Sequence, residues 1–387
     1  MKIVLIASNY YPINDVSSIR IHSYCKALAD SGVDITVLIV YNYNDLSLKN
    51  NGEFEGVNYR FVSQLNSKGL FAKLYSRISG LFNIRKEFLD RNVDYVLSYH
   101  DNLISNIFIK LCLLGKRIPY IIDKTEYPYG YYKMNKFKRI ITDLNLRLFD
   151  GFIVISNELK NFYKSYSKNV FLMPMTIDPN RFLNSKSHNK YKKFLPYICL
   201  TFGTHNRDGI FGSIISYAKY LHFNPNEFFN LVLVGDFETL CEKYPENKEI
   251  IDYINNNNLQ NKVHFIGKQP IDEVPEYLKN ATCLITTAEN YNSGGFPTKL
   301  GEYMLSGVPV IATNAGEISK YVTNDKDIFL CRVRDYDCIG KRILFIQDNY
   351  DIGRAVATQA EITAKTTFNA VSYIKDLLNF CEHVKKN

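Results

Sequence analysis

Short apolar runs alternate with stretches of helical period along nearly the whole chain. In the first half, runs such as Ile3-Val4-Leu5-Ile6-Ala7 and Tyr95-Val96-Leu97-Ser98-Tyr99 are bounded by polar or turn residues. They predict strands over 2–8, 34–41, 57–62, 94–98, 119–123, 151–155 and 169–172. Apolar residues spaced three and four apart predict helices over 18–31, 68–91, 101–115, 133–149 and 157–165. Such alternation is the signature of a parallel sheet covered by helices on both faces.

The pattern breaks once. Leu183 to Leu195 is polar, with no apolar period, and reads as a linker. Beyond it strands are predicted over 197–202, 230–235, 262–266, 282–286, 308–312 and 328–331, with helices between them and helical stretches from 335 to 385. The fold expected is α/β with two doubly wound, Rossmann-like domains, 1–183 and 184–365, and a last helix of about 366–387 packing back on the first. A ligand cleft would lie between them, at the carboxyl ends of the strands.

Composition adds little beyond a folded enzyme: of 387 residues, 46% are hydrophobic and 22% charged. The chain starts directly on a strand, and no apolar run approaches the roughly 20 residues that span a bilayer, so a cytoplasmic protein is expected. Eight scattered cysteines include no C-x-x-C pair and read as small buried residues in a reducing compartment. Net charge is +8, and between Arg60 and Asp150 sixteen basic residues face eight acidic ones. A basic first half suits nucleic acid, anionic lipid or a phosphorylated substrate, and charge alone does not choose.

The most informative segment is Ser293-Gly294-Gly295-Phe296-Pro297-Thr298-Lys299-Leu300-Gly301-Glu302-Tyr303, followed by Ser306-Gly307-Val308-Pro309-Val310. Two glycines allow close backbone approach to a ligand, and Pro297 suits a helix start. The amides and positive dipole end of that helix suit a diphosphate. Lys299 and Glu302, three apart, share a helix face, one suited to phosphate and the other to a vicinal diol such as ribose. The same residues also fit an ordinary βαβ unit with turn glycines and a surface ion pair.

This block resembles the donor-binding motif of the retaining GT-B glycosyltransferases of family 4, in the variant familiar among bacterial enzymes of surface polysaccharide synthesis. Met173 to Phe182, Gly203 to Gly209 with Arg207, Leu233 to Asp236 and Val263 to Gly267 fit the same family in order. The resemblance implies two Rossmann-like domains facing each other across a cleft. It implies a hexosyltransferase that moves a hexose-type sugar from a nucleotide diphosphate sugar to a lipid-linked or oligosaccharide acceptor, with retention and without a metal or other cofactor. Glu302 would hold the ribose, and Arg207 and Lys299 the diphosphate. Gly203, Gly294, Gly295, Phe296, Pro297 and Thr298 would line the donor, and the turn after Gly267 would border the base. The diphosphate oxygen would take the acceptor's proton, so no side-chain nucleophile is implied.

The chain departs from the family at two places. A second glutamate usually stands eight positions before the one at 302, and here that position is Gly294, with Glu289 nearby but out of spacing. The first loop usually carries paired glycines and here reads Pro12-Ile13-Asn14-Asp15-Val16-Ser17-Ser18-Ile19-Arg20. Ser17 and Ser18 either let backbone amides reach the cleft or cap the helix, and Arg20 is a candidate phosphate or acceptor contact. His100 is either structural or a contact to the transferred sugar, and Lys124, Thr125 and Glu126 could meet the acceptor. Asp325-Lys326-Asp327 and Asp335-Tyr336-Asp337 read as a polar turn and a helix cap rather than metal motifs, so changing Asp325 or Asp327 should be nearly silent.

Three other readings stay open: an inverting GT-B transferase with His100 as base, a sugar-nucleotide epimerase, and a non-catalytic nucleotide-sugar binding subunit. A dinucleotide oxidoreductase is disfavoured because the first loop lacks G-x-G-x-x-G. Nucleic acid is not expected as a partner. For Leu70, Phe71, Leu74, Ile78, Leu81 and Phe82, which would form an apolar helix face flanked by Lys73, Arg77 and Lys86, two readings stay open: docking on an anionic membrane surface, and packing on the first sheet.

Overall fold

A computed structural model describes residues 1–8, 11–12, 16–40, 49–63, 69–90, 92–128, 131–183, 185–226, 228–290 and 294–386. By their internal contacts they form two compact units: Met1–Thr176 with Ser293–Gly295 and Asn369–Asn387, and Ile177–Asn292 with Phe296–Phe368.

In the first unit the strands are β1 (Lys2–Ala7), β2 (Asp34–Ile39), β3 (Asn51–Phe54), β4 (Val57–Phe61), β5 (Tyr95–Tyr99), β6 (Tyr120–Lys124), β7 (Gly151–Val154) and β8 (Val170–Leu172). They make one sheet in the order β3-β4-β2-β1-β5-β6-β7-β8, parallel except for the β3–β4 hairpin. Lys2 pairs with Asp34 and Ala7 with Ile39 across the central register. Four helices cross between parallel strands: α1 (Val16–Asp30) from β1 to β2, α2 (Leu70–Asp90) from β4 to β5, α3 (Leu103–Leu114) from β5 to β6 and α4 (Lys136–Leu146) from β6 to β7. A fifth, α5 (Asn157–Tyr163), leads to β8. Crossovers between parallel strands are right-handed. Strands after β4 run one way across the sheet and β1 to β2 the other, so α2 to α5 cover one face and α1 the opposite one.

The second unit has β9 (Tyr197–Thr201), β10 (Asn230–Val234), β11 (Val263–Phe265), β12 (Cys283–Thr286), β13 (Val310–Thr313) and β14 (Phe329–Cys331), all parallel, in the order β11-β10-β9-β12-β13-β14. Its helices are α6 (Ile210–Phe223), α7 (Phe237–Lys243), α8 (Glu249–Asn256), α9 (Val274–Lys279), α10 (Thr298–Leu305), α11 (Tyr336–Asp348) and α12 (Tyr350–Thr367). The last helix, α13 (Val371–Lys386), belongs to the first unit, where Ile374, Leu377, Cys381 and Val384 enter the core formed by α1 and the central strands.

Three local expectations change. Rather than hanging free, the polar stretch after 183 is fastened to the second unit: Lys186 N–H donates to the Asp272 carbonyl, Ser185 Oγ to Glu276, and Lys190 Nζ sits 2.5 Å from Glu273. Its missing apolar period reflects attachment by ions and hydrogen bonds. Cys331 and Cys338, expected as thiols, are joined in a disulfide between the end of β14 and the first turn of α11. Six cysteines are free, all buried except the half-buried Cys112. Of the D-x-D strings, Asp335 caps α11 by accepting from Cys338 N–H. Asp327, however, is buried, and accepts from Thr323 N–H at 2.7 Å and from the Thr363 hydroxyl at 3.0 Å. Removing that carboxylate would strand the buried Thr363 hydroxyl and leave the Thr323 amide without its partner, so a silent substitution is no longer expected there.

Candidate active site

In the second unit the strand order reverses between β9 and β12: β9 continues to β10 and β11 on one side, and β12 to β13 and β14 on the other. Ligands of doubly wound sheets bind beyond the carboxyl ends of the strands at such a reversal. Here the loops after β9 and β12 are bound to each other. Gly209, which precedes α6 at φ 72°, accepts a hydrogen bond from Thr287 Oγ at 2.5 Å. A Cβ on Gly209 would lie 2.4 Å from the Thr287 backbone, so no other residue fits.

Helix α10 starts in the same place. The Tyr303 hydroxyl, buried, accepts from Thr201 N–H at 2.6 Å and lies 3.0 Å from Thr201 Oγ, which ties the helix to the end of β9. Lys299 Nζ donates to the Thr201 carbonyl at 3.2 Å and pairs with Asp208 at 2.6 Å, while the same Asp208 oxygen accepts from Gly203 N–H. Asp208 thus closes the loop that carries the half-buried Arg207 and joins it to α10. Glu302, on the next turn, pairs instead with Arg181, whose NH2 donates to the Ile271 carbonyl. The side chains of Arg181 and Glu302 are only 11% and 16% exposed. Arg181 Nε and Glu302 Oε1 face each other as an ion pair, and both atoms are buried without a hydrogen-bond partner. Arg181, Asp208 and Tyr303 had no assigned role in the sequence. Asp208 had a faint signal in the turn Asn206-Arg207-Asp208-Gly209, while the other two lie in the family-like segments.

The other expected donor positions are buried to different degrees. The Phe296 ring is buried against Tyr321 and Phe368, so it serves the core, and ligand contact at this position is left to the backbone. Pro297 is buried, and Gly295 and Thr298 are half-buried. Gly267 turns left-handed after β11 and accepts from Gly235 N–H at 3.1 Å. Glu289 is engaged by Arg334 on the surface and does not stand in for the missing glutamate.

In the first unit the sheet reverses between β1 and β5. Residues 13–15 of the first loop lie outside the described residues. Helix α1 already includes Val16, which places Ser17 and Ser18 inside its first turn rather than at the cap. Arg20 is not available as a phosphate contact. It is buried, forks onto both Asp123 carboxylate oxygens at 3.0 and 3.2 Å, and donates to the carbonyls of Pro174 and Met173. Lys124 lies 2.5 Å from Asp101, and Thr125 pairs with the Tyr99 hydroxyl.

His100 differs from these. It follows β5 at the reversal, and its two ring nitrogens are buried without a hydrogen-bond partner. Burial pushes its pKa down to about 4, with the Asp101 carboxylate opposing in part. Burial also acts to raise the Asp101 pKa, but the Lys124 ammonium and hydrogen bonds from Lys124 and Asn145 outweigh it and keep that carboxyl below its ordinary range. The imidazole is therefore neutral at pH 7.

Residues 211–362 match the family model "Glycosyl transferases group 1". Among curated proteins no sequence match is found. Solved structures match over nearly the whole chain. A sucrose-phosphate synthase from Thermosynechococcus elongatus is 16% identical, covers 98% of both chains and has a TM-score of 0.70. A glycosyltransferase from Rickettsia africae is 16% identical over 100% of this chain and 99% of its own, with a TM-score of 0.68. Anabaena HepE, solved with UDP and glucose, is 16% identical over 99% of each chain, with a TM-score of 0.69. This chain is a glycosyltransferase with the GT-B fold. The matched segment contains Lys299 and Glu302, whereas Arg181, Gly203, Arg207 and Asp208 lie upstream of it.

The glycosyltransferase's departure at Gly294 has a structural cause. This residue is left-handed, at φ 72°, and a Cβ there would lie 2.7 Å from Leu159 and 2.8 Å from the Tyr127 ring. Its carbonyl accepts from Ser156 Oγ at 2.5 Å. A glutamate would meet both a backbone penalty and a filled space. Gly294→Glu is therefore expected to lose about 1–2 kcal/mol of stability from the left-handed backbone alone, with more from the clash, and to lower transferase activity. Calorimetry and a donor-turnover assay check this; a variant both stable and more active would show that the position can hold the glutamate.

A second prediction follows from His100. Its pKa is near 6.5 unfolded and about 4 folded. Between these values the unfolded chain binds more protons, so stability is complete above about 6.5 and falls as the pH drops toward 4. The parent should lose stability relative to His100→Gln by up to about 1.4 kcal/mol per pH unit in that window. Denaturant titrations at several pH values read the difference, and a constant offset would contradict a neutral buried imidazole.

Proposed function

We propose that the chain transfers a hexose-type sugar from a nucleotide diphosphate sugar to a lipid-linked saccharide acceptor in surface polysaccharide synthesis, with retention and without a metal. The observation that carries the donor assignment is the start of α10. Lys299 and Glu302 lie on its first two turns at the strand reversal, and Glu302 Oε1 is buried without a hydrogen bond. A ribose diol supplies the hydroxyl donor that this carboxylate oxygen lacks, and Arg181 then keeps its charge compensated. Lys299, Arg207 and the helix dipole offer positive charge to a leaving diphosphate. The UDP and glucose in the HepE structure support a donor of this class.

In the reaction the anomeric C–O bond to the diphosphate breaks and a C–O bond to the acceptor hydroxyl forms. The acceptor proton passes to a diphosphate oxygen, so no enzyme nucleophile is needed. His100 meets the transferred sugar as a neutral hydrogen-bonding group in this reading. A ring with a pKa of about 4 binds protons weakly at pH 7, which favours this role over that of a general base in an inverting reaction.

Glu302→Ala should weaken nucleotide diphosphate binding by about 1–3 kcal/mol, and Lys299→Ala should lower kcat more than affinity. Calorimetric titration and steady-state kinetics separate the two effects; a folded Glu302 variant that binds as tightly as the parent removes the ribose assignment. Turnover should persist in excess chelator. Loss of activity restored by manganese or magnesium would overturn the metal-free part.

A further inference from the structure

We infer that the face formed by α2, α3 and α4 in the first unit docks on an anionic lipid surface. This goes beyond the transferase reading and does not depend on the identity of the acceptor. The sequence had suggested one amphipathic helix, with packing on the sheet as the alternative. In the structure α2 lies beside α3 and α3 beside α4, and all three expose large apolar side chains. On α2, Leu70 and Phe71 are 82% and 87% exposed and Leu74 is 54% exposed; on α3, Ile104 and Leu111 are exposed, and on α4, Phe137 is 71% exposed. These side chains are exposed, whereas Ser76, Ile84 and Phe88 form the buried side of α2. Large exposed apolar side chains gathered on three neighbouring helices mark an interaction site rather than ordinary scattered exposure.

The charge around the patch selects the occupant. The three helices carry eight Lys and Arg against three acidic residues. Of the described acids, Glu87 pairs with Arg60, and Asp143 accepts from the hydroxyls of Tyr131 and Tyr166. Lys73, Arg77 and Lys86 on α2 and Lys136 and Lys138 on α4 are exposed around the apolar residues. Long cationic side chains flanking exposed apolar ones suit headgroups above an acyl boundary. A second copy would bring the same positive charge to the face, which disfavours self-association. Among the described residues no helix is long and apolar enough to cross a membrane, so the attachment is interfacial.

The test is sedimentation of the full chain with vesicles of phosphatidylcholine alone and of phosphatidylcholine mixed with phosphatidylglycerol. Three proteins are compared: the parent, a charge variant (Lys73→Ser, Arg77→Ser, Lys136→Ser, Lys138→Ser) and an apolar variant (Phe71→Ser, Leu74→Ser, Phe137→Ser). Circular dichroism and nucleotide-induced thermal shifts confirm that the variants fold and bind donor. The parent should pellet with the anionic vesicles and stay in solution with the neutral ones. Each variant should partition at least about tenfold less, as expected when several basic or buried apolar contacts are lost. Equal pelleting with both vesicle types, undiminished pelleting of the charge variant, or parent dimers in sedimentation velocity that the apolar variant abolishes would each overturn the proposal, the last in favour of a second copy.

Discussion

The right-handedness of crossovers between parallel strands is the constraint from which the other features follow. In each unit the chain starts in mid-sheet, winds outward to one edge, and returns to wind outward to the other. Where the two windings part, the loops beyond the strand ends diverge and leave backbone groups exposed to a ligand. His100 stands beyond such a point in one unit, and Gly203, Asp208 and α10 in the other. The same rule sends α2, α3 and α4 to one face of the first sheet, which gathers three modestly amphipathic helices into one apolar and basic surface. Site and surface are thus both consequences of strand order.

Around α10, polar groups are held in place at a cost. Lys299, Asp208, Thr201 and Tyr303 satisfy one another through bonds with good geometry, which fixes the helix on the end of β9. Arg181 and Glu302 do not. Two charges removed from water recover their desolvation only when hydrogen bonds accompany the attraction, and here the facing atoms lack them. A ligand that donates hydroxyls to Glu302 improves this arrangement. One shell is rigid and the other is under-satisfied, which is what a binding site needs if it is to be preorganised and still gain on binding.

Strands and helices were legible because burial on both faces leaves a strong apolar signal, and every strand expected from the sequence is present in some form. One strand, β3, was missed because Asn51-Gly52-Glu53-Phe54 is a half-exposed edge whose side chains need not be apolar. Chemistry was legible where it is local in sequence, as with Lys299 and Glu302 on one helix start. It was illegible where partners are distant. Nothing near Arg20 announces Asp123, 103 positions away, so an arginine at a loop end looked like a ligand contact although its donors are consumed inside. The burial of Phe296 and Asp327 was illegible for the same reason, their partners Phe368 and Thr363 being far along the chain.

Gly294 shows why a departure from a family pattern has to be read through backbone geometry. Taken as a side chain, the position has lost a glutamate and hence a set of acceptors for sugar hydroxyls. Taken as backbone, it is a left-handed turn with Leu159 and Tyr127 where a side chain would go and with its carbonyl held by Ser156. The two descriptions exclude each other, since a side chain at 294 would have to displace the groups that fix the turn. In the proposed function, any contact to the sugar at this position would fall to main-chain atoms, whose reach is shorter and whose orientation is set by the turn. On that proposal the site would discriminate by shape and by the direction of a few hydroxyls rather than by a flexible carboxylate, and the missing glutamate would bear on which sugar is accepted more than on whether transfer occurs.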